Sequence, residues 1–513
     1  MLIRSTSGPV PCELYTAEQV RRLDALAIAE IEGGGYALMR RAGKAAFRQL
    51  LRHFPECRSL AVFCGGGNNG GDGYVIAELA LTAGLQVSLY ALVAPEKLTG
   101  EAAEAWQQAQ QQGVKTEDWG GQLPADCDVI VDALLGTGLS GSVRGDYVEV
   151  IKAINATGLP VVAIDVPSGL SADTGMPLGP VIKADLTSTF IGIKRGLLTG
   201  LAADYVGELW FDDLGVSKAV YARENAAAQR DSFKLLQDAM PLRRLSDHKG
   251  RFGHVLIIGG DTGFGGAALM ASEAALRAGA GLVSCATQEM HVGAGLVRCP
   301  EVMFKGVSHR QVLEAMLVPA SVVVLGPGLG QGPWGQMCFQ TALQHCLSHS
   351  KPMVMDADAL NMLAMEPLTL PRELVLTPHP GEAARLLACS VADVMQDRFA
   401  SVRKLAEKYQ ATVVLKGAGT LVASSADQDN KLIAVCAEHG NPGMASGGMG
   451  DVLAGIVAAL IAQGIRLFDA TRLAVAWHAH SGDMALCHSG QLSLTATDVI
   501  RSLGPAWVQP ELD

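Results

Sequence analysis

Asparagine and aspartate crowd one glycine-rich stretch of this sequence, "FCGGGNNGGDG" (63–73). Gly65, Gly67 and Gly70 fit G-x-G-x-x-G, the fingerprint of a dinucleotide-phosphate loop. Asn68, Asn69 and Asp72 depart from it, because phosphate-cradling loops carry small neutral residues there. The fingerprint also needs an acid at the end of the next strand to hold the adenosine ribose, and "SLYALVAPEK" offers Tyr90 and Ala91 at that place. Two more polar loops, "DALLGTGLSG" (132–141) and "DVPSG" (165–169), follow apolar runs. If their strands are neighbours, Asn69, Asp132, Asp165 and Ser168 converge. Their oxygens, with backbone carbonyls, suit a hard cation better than a soft transition metal. The competing use is structural, with Asp72 capping a helix from 74 and Ser168 holding a turn.

A second reactive stretch is "GNPGMASGGMGDVLAG" (440–455). Gly447, Gly448 and Gly450 free the backbone to turn N–H groups inward just before a helix, a seat for a phosphoryl group in transfer. Asp451 can take a proton from an attacking hydroxyl, or can simply cap the helix. Composition and spacing give phosphoryl transfer at an anion hole and no more.

Alternating strand and helix patterns must position these loops. "TAEQVRRLDALAIAEI" reads as a helix capped by Thr16, with Gln19 completing a capping box. The apolar runs at 60–65, 85–92, 128–136, 160–169 and 187–192 read as buried parallel strands, with helices at 74–83 and 99–112. A polar, alanine-rich stretch without strand pattern, "SKAVYARENAAAQR", follows 214–216. The rhythm restarts at 254–260, 282–287, 321–328, 352–358, 374–379 and 411–417. The expectation is α/β throughout: a Rossmann-like doubly wound domain over 1–220, a linker over 221–235, and a second, larger α/β domain over 236–513.

At 513 residues the chain exceeds one ordinary core, and a formal net charge of −11 argues against nucleic-acid or anionic-membrane partners. The odd count of 11 cysteines, with no C-x-x-C, points to reduced thiols and a cytoplasmic setting. No signal peptide or membrane span is expected. A homo-oligomer is expected.

"GGGNNGGDG", "VDALLGTGLSG" and "AIDVPSG" resemble the signature loops of NAD(P)H-hydrate epimerases, over most of 15–215. That resemblance implies interconversion of the R and S epimers of NAD(P)H hydrated at carbon six of the nicotinamide ring, NADHX and NADPHX. It implies substrate contacts from Asn68, Asn69, Gly70, Gly71 and Asp72, and from Gly136, Thr137, Gly138, Leu139, Ser140, Gly141 and Ser142. Tyr147 and Asp165 join them, and Asn69, Asp132 and Ser168 would coordinate potassium. Asp165 is assigned proton transfer, since a carboxylate beside the reacting ring is the simplest acid or base available.

The G-x-G-D arrangement at Asp451 resembles the ribokinase-like superfamily. "GGDTGFGGA", "VLGPGLG", "MDADALN", "LTPHPGEAARL" and "LKGAGTLV" narrow the resemblance to ADP-dependent NAD(P)H-hydrate dehydratases, over roughly 235–500. It implies dehydration of the S epimer, with ADP phosphorylating the ring hydroxyl and magnesium accompanying ADP. Substrate would lie near Ala267, Gly328, His379 and Asp451, and the adenine nucleotide near Lys416, Gly417, Ala418, Gly419, Thr420 and Gly450. His379 is alternatively a rigid turn residue between prolines. Asp356 and Asp358 either orient magnesium through water or are turn residues. The competing reading is a vitamin or sugar kinase with a non-catalytic first half, against which "TPHPGE" and "KGAGT" argue.

Overall fold

Strands buried on both faces need helices on both sides, and both halves of the chain satisfy this in the same way. The computed structural model describes residues 2–6, 8–139, 141–425 and 433–507. Its contacts divide the chain into Met1–Arg230 and Asp231–Asp513.

In the first unit an all-parallel sheet runs, edge to edge, Ile3–Ser5, Glu208–Asp212, Leu186–Phe190, Val161–Ile164, Val129–Ala133, Ser59–Cys64, Gln86–Ala91 and Thr116–Glu117. The order reverses between Ser59–Cys64 and Val129–Ala133, where Cys64 pairs with Ala133. Such a switch point opens a crevice beyond the strands' carboxyl ends. Val62, Phe63, Ile130 and Val131 are fully buried there, each contributing about 1.5–3 kcal/mol of transfer free energy.

The expected N-terminal helix spans Ala17–Glu30, with both hydrogen bonds of the Thr16–Gln19 capping box present. The helix expected at 74–83 begins six residues earlier, as Asn68–Thr82 with Gly67 as its N-cap. Asp72 therefore sits inside the helix and does not cap it. The glycines that read as loop are close-contact residues: a Cβ at Gly65 would strike the Leu134 carbonyl oxygen, and one at Gly70 the Gly65 carbonyl oxygen.

The stretch read as lacking strand pattern contains the helix Lys218–Tyr221 and the strand Ala228–Asp231. Ala228 and Gln229 pair antiparallel with Leu14 and Glu13, whose strand Glu13–Tyr15 also pairs with Ile193–Lys194. A strand whose partner lies two hundred residues away leaves no local signature.

In the second unit the parallel order is Met303–Gly306, Leu282–Thr287, His254–Ile258, Val322–Leu325, Met353–Met355, Leu374–Leu376 and Thr412–Leu415. Thr420–Ser424 and Ile433–Cys436 then continue it antiparallel. The switch point falls between His254–Ile258 and Val322–Leu325. The helix Met449–Ala462 is buried along most of its length and backs onto the helix Gly265–Arg277, where a Cβ at Gly455 would strike the Ala271 carbonyl oxygen. Among the described residues no helix is long and apolar enough to cross a membrane.

Candidate active sites

The first unit's switch point opens into a cleft of about 700 Å³. Asn68, Asn69 and Asp72 reach it from the helix Asn68–Thr82, Gly136 to Leu139 from the loop after Val129–Ala133, and Tyr147 and Asp165 from beyond. Gly70 and Gly71 are buried in the helix, Gly71 against Met39 and Ala102. Gly141 and Ser142 are exposed on the following loop, and Ser140 lies outside the described residues.

Asp165 stands at the end of Val161–Ile164 with φ 65°, in the left-handed region that disfavours a side chain. This backbone turns its carboxylate onto Lys194: Asp165 Oδ1 accepts from the Lys194 ammonium and, at 3.2 Å, from the Thr189 hydroxyl. Lys194 is 1% exposed and also donates to Thr189 Oγ1 and the Phe190 carbonyl, each at 3.1 Å. The Tyr15–Lys194 strand pairing holds it in place. Asp24 and Asp72 share the cleft. Burial pushes the Asp24 carboxyl up to about 6, the neighbouring Lys194 pulling it down and Asp165 pushing it up. Burial, with Asp165 and Asp24 adding to it, raises Asp72 well above the usual carboxylate range.

Behind the cleft, Asp132 and Ser168 are fully buried and bound to each other. Asp132 Oδ1 accepts from the Ser168 hydroxyl at 2.6 Å, and Oδ2 from the Ser168 N–H at 2.8 Å. Burial holds Asp132 at about 6 in spite of these bonds. Asn69 differs: both carboxamide atoms are buried and neither has a protein partner. Asn69 stands against Gly136, next in the chain to the Leu135 whose N–H donates to Ser168, and a free carboxamide oxygen there fits the donor set of a hard cation.

Asp24 and Lys194 escaped the sequence reading. Asp24 interrupts the buried stripe Val20, Leu23, Ala27 of its helix, and Lys194 sits in an apolar strand beside Ile193. A charge placed where burial is expected was the available signal.

In the second unit, three neighbouring strands end at polar residues that meet. Asp356 follows Met353–Met355, Thr377 follows Leu374–Leu376, and Lys416 follows Thr412–Leu415. Asp356 Oδ1 accepts from the Thr377 hydroxyl at 2.8 Å and the Lys416 ammonium at 2.9 Å. Glu382 Oε2 lies 3.8 Å from the same ammonium and accepts from the His379 N–H at 2.8 Å. Gly450 brings the following Asp451 in: a Cβ there would stand 3.2 Å from Lys416 Nζ and 3.4 Å from Asp356 Oδ2. Burial, then Asp356, push the Asp451 carboxyl up to about 7, against the pull of Lys416. Glu382 is pushed to about 6 by burial, with Lys416 opposing. Burial and the charges of Lys416 and Arg385 lower the His379 imidazole.

His379 caps the helix Pro380–Leu387, its Nδ1 accepting from the Gly381 N–H. Asp358 accepts from the Gly330 N–H at 2.9 Å and so fastens the loop that carries Gly328. Gly328, at φ 58°, packs against Phe264 and Ala267. The loop Gly417–Thr420 is gripped from below by Arg398, 1% exposed, which donates to the carbonyls of Leu415, Lys416 and Ala418. Thr377, Arg398 and the approach of Glu382 to Lys416 had no assigned role in the sequence, because in each the partner is distant in the chain.

A family model described as NAD(P)H-hydrate dehydratase matches residues 255–504, and one described as YjeF-related protein N-terminus matches 35–196. The chain is 44% identical over 490 residues to a bifunctional NAD(P)H-hydrate repair enzyme of Coxiella burnetii, covering 96% of this chain and 98% of that one. The enzyme of the same name from Escherichia coli K12 is 43% identical over 504 residues, covering 96% and 94%. A ribokinase-like superfamily protein of Enterococcus faecalis V583, a crystal structure, superposes with a TM-score of 0.50 at 29% identity, over 54% of this chain and 94% of that one. Two doubly wound units, each with a polar cluster at its strand ends, thus coincide with relatives aligned along nearly the whole chain, and the chain belongs to the bifunctional NAD(P)H-hydrate repair enzymes.

Proposed function

We infer that the two activities of this family are divided between the two units. The first interconverts the R and S forms of hydrated NAD(P)H. The second dehydrates the S form to NAD(P)H at the expense of ADP, yielding AMP and phosphate. A kinase with a silent first half is disfavoured, because relatives named bifunctional NAD(P)H-hydrate repair enzymes align with both halves.

In the first unit Asp165 and Lys194 form the proton-handling pair, and the crevice wall from Asn68 to Asp72 and Gly136 to Leu139 seats the nucleotide. Tyr147 and, across the loop, Gly141 and Ser142 complete the seat, with Gly70 and Gly71 shaping the helix beneath. Asn69, Asp132 and Ser168 would hold potassium, which would supply a fixed positive charge beside an anionic substrate. The unpartnered carboxamide of Asn69 supports this reading.

In the second unit Asp451 takes the proton of the ring hydroxyl as that oxygen attacks the β-phosphorus of ADP. AMP leaves, and the hydroxyl becomes a phosphate ester. The ring nitrogen's electrons then expel phosphate, a far better leaving group than hydroxide, leaving an iminium ion at carbon six, and loss of a proton from carbon five to a base or water restores the dihydronicotinamide. An acid near pH 7 is matched to such a transfer. Lys416 and the helix start at Gly450 face the transferring phosphoryl group, with Gly417 to Thr420 along the nucleotide and Ala267, Gly328 and His379 along the substrate. Magnesium accompanies ADP as a counter-ion of its phosphates.

The observation that carries the reading is the pair of polar clusters, one at the strand ends of each unit. An absorbance assay tests it: both hydrates are mixed with ADP and magnesium, and recovery is followed at the dihydronicotinamide band. Complete recovery beyond spontaneous epimerisation is expected. Recovery of the S form alone overturns the first activity, and recovery of neither overturns the second.

A further inference from the structure

Outside both sites, unused positive charge is concentrated on the first unit. The helix Gly34–His53 carries Arg41, Lys44, Arg48 and Arg52, three and four residues apart and hence on one face. With Arg4 on the edge strand, and with the loop Asp212 to Gly215, this face lines a cavity of about 1220 Å³. The carboxylates present offset Arg4 and, at longer range, Arg48, and leave the others. Asp212 accepts from the Thr6 hydroxyl at 2.6 Å and the Leu214 N–H at 2.8 Å, with Arg48 3.8 Å away. Asp213 accepts from the Gly215 N–H at 2.9 Å, and Arg4 is paired with Glu208 at 2.6 Å. Lys44 and Arg52 have no carboxylate partner among the described residues; the Arg52 guanidinium lies 5.1 Å from the centre of the Trp210 ring.

A second observation is independent of charge. Gln49 lines the same cavity, is 8% exposed, and its Oε1 has no hydrogen-bond partner. A buried carboxamide oxygen without a donor is costly, and a ligand hydroxyl removes that cost.

We propose that this cavity binds a small hydroxylated metabolite bearing two or more phosphoryl groups. Lys44, Arg48 and Arg52 donate charge-assisted hydrogen bonds to the phosphoryl oxygens, and Gln49 accepts from a hydroxyl. A concave wall of one charge focuses the field on a compact anion, whereas the net charge of −11 repels an extended polyanion.

The test is calorimetric titration of the full-length protein with fructose 1,6-bisphosphate and with inorganic tripolyphosphate, in saturating ADP to fill the nucleotide site. At least one probe binds, and K44E/R52E weakens it by about tenfold or more. The same variant keeps its epimerisation rate and melting temperature, and K152E, outside the cavity, keeps wild-type affinity. Q49L, which leaves every charge in place, weakens the bisphosphate by about threefold or more. The proposal is overturned if neither probe binds, or if K44E/R52E binds as wild type does. It is equally overturned if a single-stranded oligonucleotide binds more tightly than both probes and is lost in that variant. Unchanged bisphosphate affinity in Q49L overturns the hydroxyl contact.

Discussion

Asp165 and Asp451 are both carboxylates at strand or helix ends, yet their surroundings differ, and so do the tasks proposed for them. Asp165 lies against a buried ammonium, Asp451 in a nest of other acids. Replacing Asp165 by Asn removes the proton acceptor and keeps the shape, so epimerisation falls by about 10²–10⁴-fold while dehydration of the S form is unaffected; a rate on the pure R hydrate reads this out. Asp451 titrates at about 7 when folded against about 3.9 in an unfolded chain. Its raised value favours the folded state below the unfolded pKa, and that contribution is lost as pH rises through about 7. Activity runs the other way, because the base must be ionised. Dehydration therefore rises with pH through this range, and D451N abolishes it while raising the melting temperature more at pH 8 than at pH 5. A pH-independent difference in melting temperature would refute the assignment. Asp165 and Asp132 were legible because an Asp directly after an apolar run is conspicuous, Ser168 because it sits in the polar loop that follows, and Asp451 because a run of glycines precedes it at a helix start. Lys194, Asp24 and Glu382 were not, since only tertiary packing turns them inward.

At the scale of elements, the close contacts of the first glycine-rich segment decide the crevice. The Gly65 backbone lies against the Leu134 carbonyl, at the point where the two central strands part. Gly65→Ala forces those strand ends apart and costs about 1–3 kcal/mol or more, seen as a lower melting temperature together with a weaker apparent affinity for the hydrated nucleotide. Intact stability would show that the loop yields where the packing says it cannot. The long parallel strands were readable because both faces are buried and their residues nearly all apolar. The edge strand Met303–Gly306, with Met303 and Lys305 exposed, was not. The start of the helix Asn68–Thr82 was hidden by residues of poor helix propensity, which tertiary contact overrides.

For the whole molecule, the division at Arg230 has a local cause. Arg230 donates to the carbonyls of Val10 and Pro11, and Ala228 and Gln229 of its own strand pair with Leu14 and Glu13. A fragment ending at 230 keeps this clasp, whereas one ending at 220 loses it. The longer fragment is expected to melt at the higher temperature and to retain more epimerase activity; equal melting points would place the clasp outside the stable unit. The two-unit rhythm was legible in the repeated alternation of strand and helix. The clasp was not, because it joins residues at opposite ends of the unit.

The cluster around Lys416 has one consequence for how the second unit exchanges matter with its solvent. Two of its three acids titrate near neutrality, at about 7 for Asp451 and about 6 for Glu382, so the cluster stores a fractional proton at physiological pH. An incoming diphosphate adds negative charge beside it and fills that store. Nucleotide binding at neutral pH is thus expected to draw protons from the medium, and the heat of ADP binding there to depend on the ionisation enthalpy of the buffer.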